Sequence, residues 1–167
     1  MAKLELNLLI DSPYRRKLSA QWLDRVVSET LEGRGLPVPA EVGVVITNDR
    51  VVADLNRRYR GISGSTDVLS FSLDGEAASG DSFVSPPDGP YHLGEVVVSY
   101  PQAARQASEY GRTVEEEVAI LTVHGLLHLM GFDHEDEEEE RAMRAQEAQA
   151  LAVLGIGEKG LDPGKAS

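Results

Sequence analysis

The sequence predicts an α+β fold, an α/β sandwich in which a mixed sheet of about four strands carries helices packed on it. Three observations support this. Strand-like and helix-like segments alternate through the first hundred residues, helical patterns alone follow them, and the 167-residue chain has neither a cysteine nor a long apolar run. Alternation followed by helices is the pattern of a sheet covered by helices. Without cysteine there are no disulfides or thiolate ligands, which fits a reducing compartment. The core must then be aliphatic, since 41% of residues are apolar but only 5% aromatic. The length suits one domain over 1–154, and the tail "GIGEKGLDPGKAS" (155–167) reads as flexible.

The first strand is "KLELNLLI" (3–10), where Leu4, Leu6 and Leu8 alternate with polar neighbours. A helix is expected next, with Leu18, Trp22, Val26 and Leu31 near helical spacing, Asp11 or Ser12 as its cap, and Gly33 or Gly35 at its end. "EVGVVIT" (41–47) is a second strand and "NDRVVADLNRRYR" (48–60) a second helix, capped by Asn48 or Asp49. "DVLSFSL" (67–73) and "HLGEVVVSY" (92–100) complete the strands, and three consecutive valines predict burial on both faces of the last one. Between them lies "DGEAASGDSFVSPPDGP" (74–90), long enough to be a functional loop or a floppy insertion. Three helices follow, over 101–110, 113–130 and 135–154.

Charge narrows the function classes. The net charge is −12, divided unevenly: residues 1–60 hold 10 Lys and Arg against 8 Asp and Glu, for +2, and the remainder is −14. An acidic chain is a poor general nucleic-acid binder, because such binding neutralises phosphates. RNA must therefore be met by a local basic site, for which "YRRK" (14–17) and "NRRYR" (56–60) are candidates; DNA is not expected as a partner. The N-terminus does not read as a signal peptide, and no segment approaches the roughly 20 apolar residues of a membrane span. A cytoplasmic protein with no membrane partner is expected.

Three of the four histidines fall in "HGLLHLMGFDH" (124–134). On a helix, His124 and His128 share one face, one turn apart. Gly131 then ends the helix, because glycine takes a positive φ without penalty. His134 can swing back towards the other two. Three imidazoles in a cup, with an open fourth position for water, are the donor set of a catalytic zinc site. Other divalent transition metals also suit imidazole. A closed structural site would need His92 or a carboxylate as a fourth ligand. Asp133 and the acids after His134 can accept hydrogen bonds from the imidazoles, or simply open a helix. The run "EDEEEE" (135–140) reads as a solvated helix start, with Glu137–Arg141 and Glu140–Arg144 at i,i+4 spacing.

The segment aligns with the metzincin protease signature H-E-x-x-H-x-x-G-x-x-H, except that Gly125 stands where those proteases have their general base, glutamate. A second family fits better. "LNRRYRGISGSTDVLSFSL" (55–73), "HLGEVVVS" (92–99) and "VHGLLHLMGFDHEDEEE" (123–139) resemble, in order, three blocks of the YbeY family of bacterial endoribonucleases, with "GST" where that family often has proline before Thr-Asp. The resemblance implies a metalloprotease-like zinc-binding helix and a single-strand-specific, metal-dependent endoribonuclease. Its expected roles are maturation of the 3′ end of small-subunit rRNA and ribosome quality control. It implies one zinc ion on His124, His128 and His134, a functional arginine at Arg60, and the ribosome or its small subunit as partner. The residue chemistry agrees, since an arginine fork suits the charge that develops on phosphate oxygens. Arg57 and Arg58 are expected on a solvated face, and Thr66, Asp67 and Ser70 as supports. The competing functions are a metallopeptidase-like hydrolase and a non-catalytic ribosome assembly factor with a structural zinc.

Overall fold

The computed structural model describes residues 4–32, 34–36, 39–60, 67–72, 91–132 and 136–156, with backbone alone at Tyr59, Arg60 and Ser72. Strands β1 (Leu4–Ile10), β2 (Ala40–Thr47), β3 (Val68–Ser72) and β4 (Tyr91–Ser99) form one sheet in the order β1-β2-β4-β3. β1, β2 and β4 run parallel and β3 pairs antiparallel with β4, so the sheet is mixed, as predicted. The loop expected over 74–90 lies outside the described residues.

The register sets the two faces. Leu8, Val44, Val96 and Ser70 stand in one row across the sheet, while Leu9, Val45, Val97 and Leu69 stand in the next. Successive side chains point to opposite faces. Accordingly, Val96 and Val98 join the main core, whereas Val97 packs with Leu69 and Val52 in a separate cluster on the other side. The valine run is buried on both faces. One register shift, between Glu41 and Val42 against β4, adds a bulge beside Gly94.

Helices α1 (Ala20–Leu31), α3 (Tyr100–Tyr110), α4 (Val114–Leu129) and α5 (Glu137–Val153) build up the main-core side, and α2 (Asp49–Arg60) covers the opposite face. α4 is the central helix, packed against α1, α3, α5, β3 and β4. Burial on several sides explains its sequence, in which Val118, Leu121, Val123, Leu126 and Leu127 do not confine themselves to one stripe. A capping box opens it: the Thr113 side chain accepts from the Glu116 amide, and Glu116 accepts from the Thr113 amide, each at 3.0 Å.

One boundary differs from expectation. The first helix starts after Ser19, whose hydroxyl accepts from the Trp22 amide, and not at Asp11 or Ser12. Asp11 is committed elsewhere: its carboxylate accepts from the Thr47 hydroxyl at 2.5 Å, fastening the end of β1 to the end of β2. Ser12–Tyr14 makes only a short 3-10 turn, and Tyr14 stacks on Tyr100, with ring centroids 4.6 Å apart.

The junction of α3 and α4 holds an ion pair that composition does not reveal. Arg112 and Glu117 meet at 2.6 Å with side chains 3% and 0% exposed, and the guanidinium lies over the Tyr110 ring at 5.0 Å. A charge so deeply buried persists only when paired. No helix among the described residues is long and apolar enough to cross a membrane.

Candidate metal centre

The site begins with how closely α4 approaches the sheet. Gly125 allows it: a β-carbon at this position would stand 2.7 Å and 3.1 Å from the two methyl carbons of Val96 and 3.2 Å from Ser70 Oγ. Glycine is there because the helix backbone presses on β3 and β4. The Ser70 hydroxyl donates to the Gly125 carbonyl at 3.0 Å, tying the same turn of the helix to β3. Position 125, where metzincins carry glutamate, therefore faces the sheet and has no room for a side chain.

His124 and His128 occupy the same face of α4, half-buried, with ring centroids 4.8 Å apart and planes inclined at 70°. The four-residue spacing dictates that neighbourhood. Met130 caps the helix, and Gly131 follows with φ of 99°, a conformation that L side chains rarely adopt. The Gly131 amide donates to the His128 carbonyl at 3.0 Å and the Phe132 amide to the Leu127 carbonyl at 3.1 Å, so the chain folds back at the end of the helix. The helix stop at Gly131 is as the sequence predicts. Asp133 and His134 lie outside the described residues, so among those described two of the three expected imidazoles come together and no group of three metal-binding side chains forms.

The imidazole chemistry suits a metal. His124 Nδ1 lies 2.5 Å from Glu147 Oε2 on α5, so a carboxylate from a second helix meets this ring. Two partly buried imidazoles on one helix face, one of them held by a carboxylate, fit zinc. His92, the alternative fourth ligand, is paired with Glu41 on the adjacent strand.

The remaining expected residues divide. Arg60 closes α2, and its side chain is outside the described set. Arg57 and Arg58 are exposed and pair with Asp54 at 2.7 Å and 3.5 Å, as a solvated face requires. Asp67 accepts from Gln106 at 3.2 Å, which ties the start of β3 to α3, while Thr66 lies outside the described residues. The acidic run opens α5 with Asp136 as its cap, accepting from the Glu139 amide at 2.8 Å, and Arg144 pairs with Glu140 at 2.8 Å. Glu147 is the residue that sequence reasoning missed. Its signal was a carboxylate in line with Met143 and Leu151, both of them buried, on the inward stripe of α5.

Residues 10–155 match the model of the family described as Endoribonuclease YbeY. A protein named Endoribonuclease YbeY from Dehalococcoides mccartyi strain CBDB1 is 42% identical over 137 residues, covering 80% of this chain and 82% of its own. Its namesake from Roseiflexus castenholzii is 39% identical over 160 residues, covering 95% and 98%. The solution structure of TM1509 from Thermotoga maritima shares the fold, with a TM-score of 0.54 at 22% identity over 95% of this chain and 98% of that one.

Proposed function

This chain belongs to the YbeY endoribonuclease family, and from that premise we propose that it is a metal-dependent endoribonuclease cutting single-stranded RNA, with its role in maturing the 3′ end of small-subunit rRNA and in ribosome quality control. The observation that carries the reading is the His124–His128 pair on one face of a helix pinned to the sheet through Gly125. His124, His128 and His134 are the proposed ligands of one zinc ion. Bound zinc would supply Lewis-acid stabilisation of a phosphoryl oxygen and acidify a water near neutrality. Arg60 is assigned to the non-bridging oxygens of the scissile phosphate, donating through a planar fork that matches them. Closure of position 125 against the sheet removes the protease's general base and argues against a peptidase. The net charge of −12 supports a basic or ribosome-bound setting for the substrate, because the chain's own field repels RNA except where arginines gather.

The test is cleavage of a single-stranded RNA bearing a small-subunit rRNA 3′ end by the wild type, His128→Ala and Arg60→Ala, purified identically. We expect cutting by the wild type alone, abolished by a chelator and restored by zinc. Equal cutting by all three would trace the activity to a contaminant, and wild-type cutting that survives chelation would remove the metal from the reading.

A further inference from the structure

We propose that Glu147 is a positioning residue of the metal centre: its carboxylate accepts a hydrogen bond from His124 Nδ1–H and thereby turns Nε2 outward as the ligating nitrogen. This rests on the metal reading above and extends the centre from α4 to α5.

The placement of Glu147 in its helix is the first argument. Met143, Glu147, Leu151 and Leu154 follow one another at three- and four-residue steps, so they share the face that α5 turns inward. Met143, Leu151 and Leu154 pack with Val26, Ala119, Val123 and Leu127 in the core between α1, α4 and α5. A glutamate within that stripe, 18% exposed, stands where packing alone would choose leucine. Its desolvation must be offset by a partner. The partner is His124, at 2.5 Å.

The second argument is what that contact does to an imidazole. A neutral ring carries one proton on either nitrogen, and the nitrogen without it binds a metal. Free in water the ring samples both tautomers and several rotamers. A carboxylate at Nδ1 selects the Nδ1–H form and fixes the plane of the ring. Such partners of ligating histidines commonly contribute 10–100-fold in metal affinity. Neighbouring polar groups on α5 are committed elsewhere: Arg144 to Glu140, and Gln146 to Arg34 at 2.7 Å. The Arg34 contact also anchors this turn of α5 to the end of α1, which keeps Glu147 in register with His124.

The experiment compares the full-length wild type with Glu147→Gln, Glu147→Ala and Glu140→Ala. Zinc affinity is measured by competition with a chromophoric chelator. The tautomer of His124 is read in the metal-free proteins from nitrogen-15 shifts, under conditions where the ring is neutral. We expect Glu147→Ala to lose 10–100-fold in zinc affinity and to let His124 drift from the Nδ1–H form. Glu147→Gln, whose amide oxygen still accepts, should keep the tautomer and lose less affinity, while Glu140→Ala should match the wild type. Zinc affinity of Glu147→Ala within threefold of wild type, or an unchanged tautomer, would overturn the proposal alone. A wild type that takes up no zinc would overturn both this proposal and the metal reading. If Glu147→Ala fails to fold, the wild type decides: an Nε2–H tautomer of its neutral His124 contradicts the proposed contact, because a carboxylate can only accept.

Discussion

At the scale of single residues, the glycine between the two histidines is the most constrained position in the site. Gly125→Ala places a methyl 2.7 Å from Val96 Cγ1, and α4 must lift from the sheet to admit it. Overpacking of this kind costs about 1–3 kcal/mol. Urea denaturation should show that loss, and zinc affinity should fall with it because the histidines ride on the displaced turn; an alanine variant as stable as wild type would contradict the close approach. The histidine spacing and the helix stop at Gly131 were legible in the sequence because both are local, set by a four-residue period and by one residue's backbone freedom. Glu147 was not, since its partner lies 23 residues away and only the packing of two helices brings them together. The reason for Gly125 was hidden in the same way: the sequence marks the absence of a protease base, while the contact with Val96 explains it.

At the scale of elements, strands and helices were legible to within a residue or two wherever alternation or capping chemistry was strong. The start of α1 was not, because Asp11, a good cap in isolation, spends its carboxylate on Thr47. The N-terminal turn of α4 gives a graded prediction. Thr113→Ala removes half of the capping box, a loss of about 1 kcal/mol. Glu117→Ala strands the buried Arg112 charge and should cost about 3–5 kcal/mol. Chemical denaturation of the two variants checks the order, and equal losses would mean that Arg112 finds another partner. α2 and α3 are joined through Asp49, which accepts from Ser99 at 2.5 Å and from Arg105 at 2.8 Å. Burial pushes this carboxyl up, but the hydrogen bonds from Ser99 and Arg105 and the Arg105 charge outweigh it and hold the group below its usual range. A carboxyl with a depressed folded pKa adds stability above its unfolded pKa, and that stability is lost as pH falls through the folded value. Asp49→Asn should therefore lower stability at neutral pH and narrow its gap from wild type in acid; a gap independent of pH would mean that the charge is not what matters.

For the molecule as a whole, the sheet order, with β4 inside and β3 at its edge, explains why Ser70 reaches α4 and why the valines of β4 need a helix on either side. Composition forecast the aliphatic core and the order of segments the mixed sheet, but neither told which helix would cover which face, since that depends on the path of the chain between strands. The charge distribution makes a prediction at this scale. Log–log plots of RNA affinity against salt should have a shallow slope for so acidic a protein, and Arg60→Ala should reduce that slope by about one. An unchanged slope would take Arg60 away from phosphate. The contact between α4 and α5 also has a consequence in time. Chains leave the ribosome N-terminus first, at about 5–20 residues per second, so Glu147 emerges roughly one to five seconds after His124. During that interval the sheet and α4 can already be assembled while the histidine is still unbraced. On the proposed function, the chain thus spends its first seconds beside ribosomal RNA with His124 not yet held by Glu147, a contact that forms once α5 has docked.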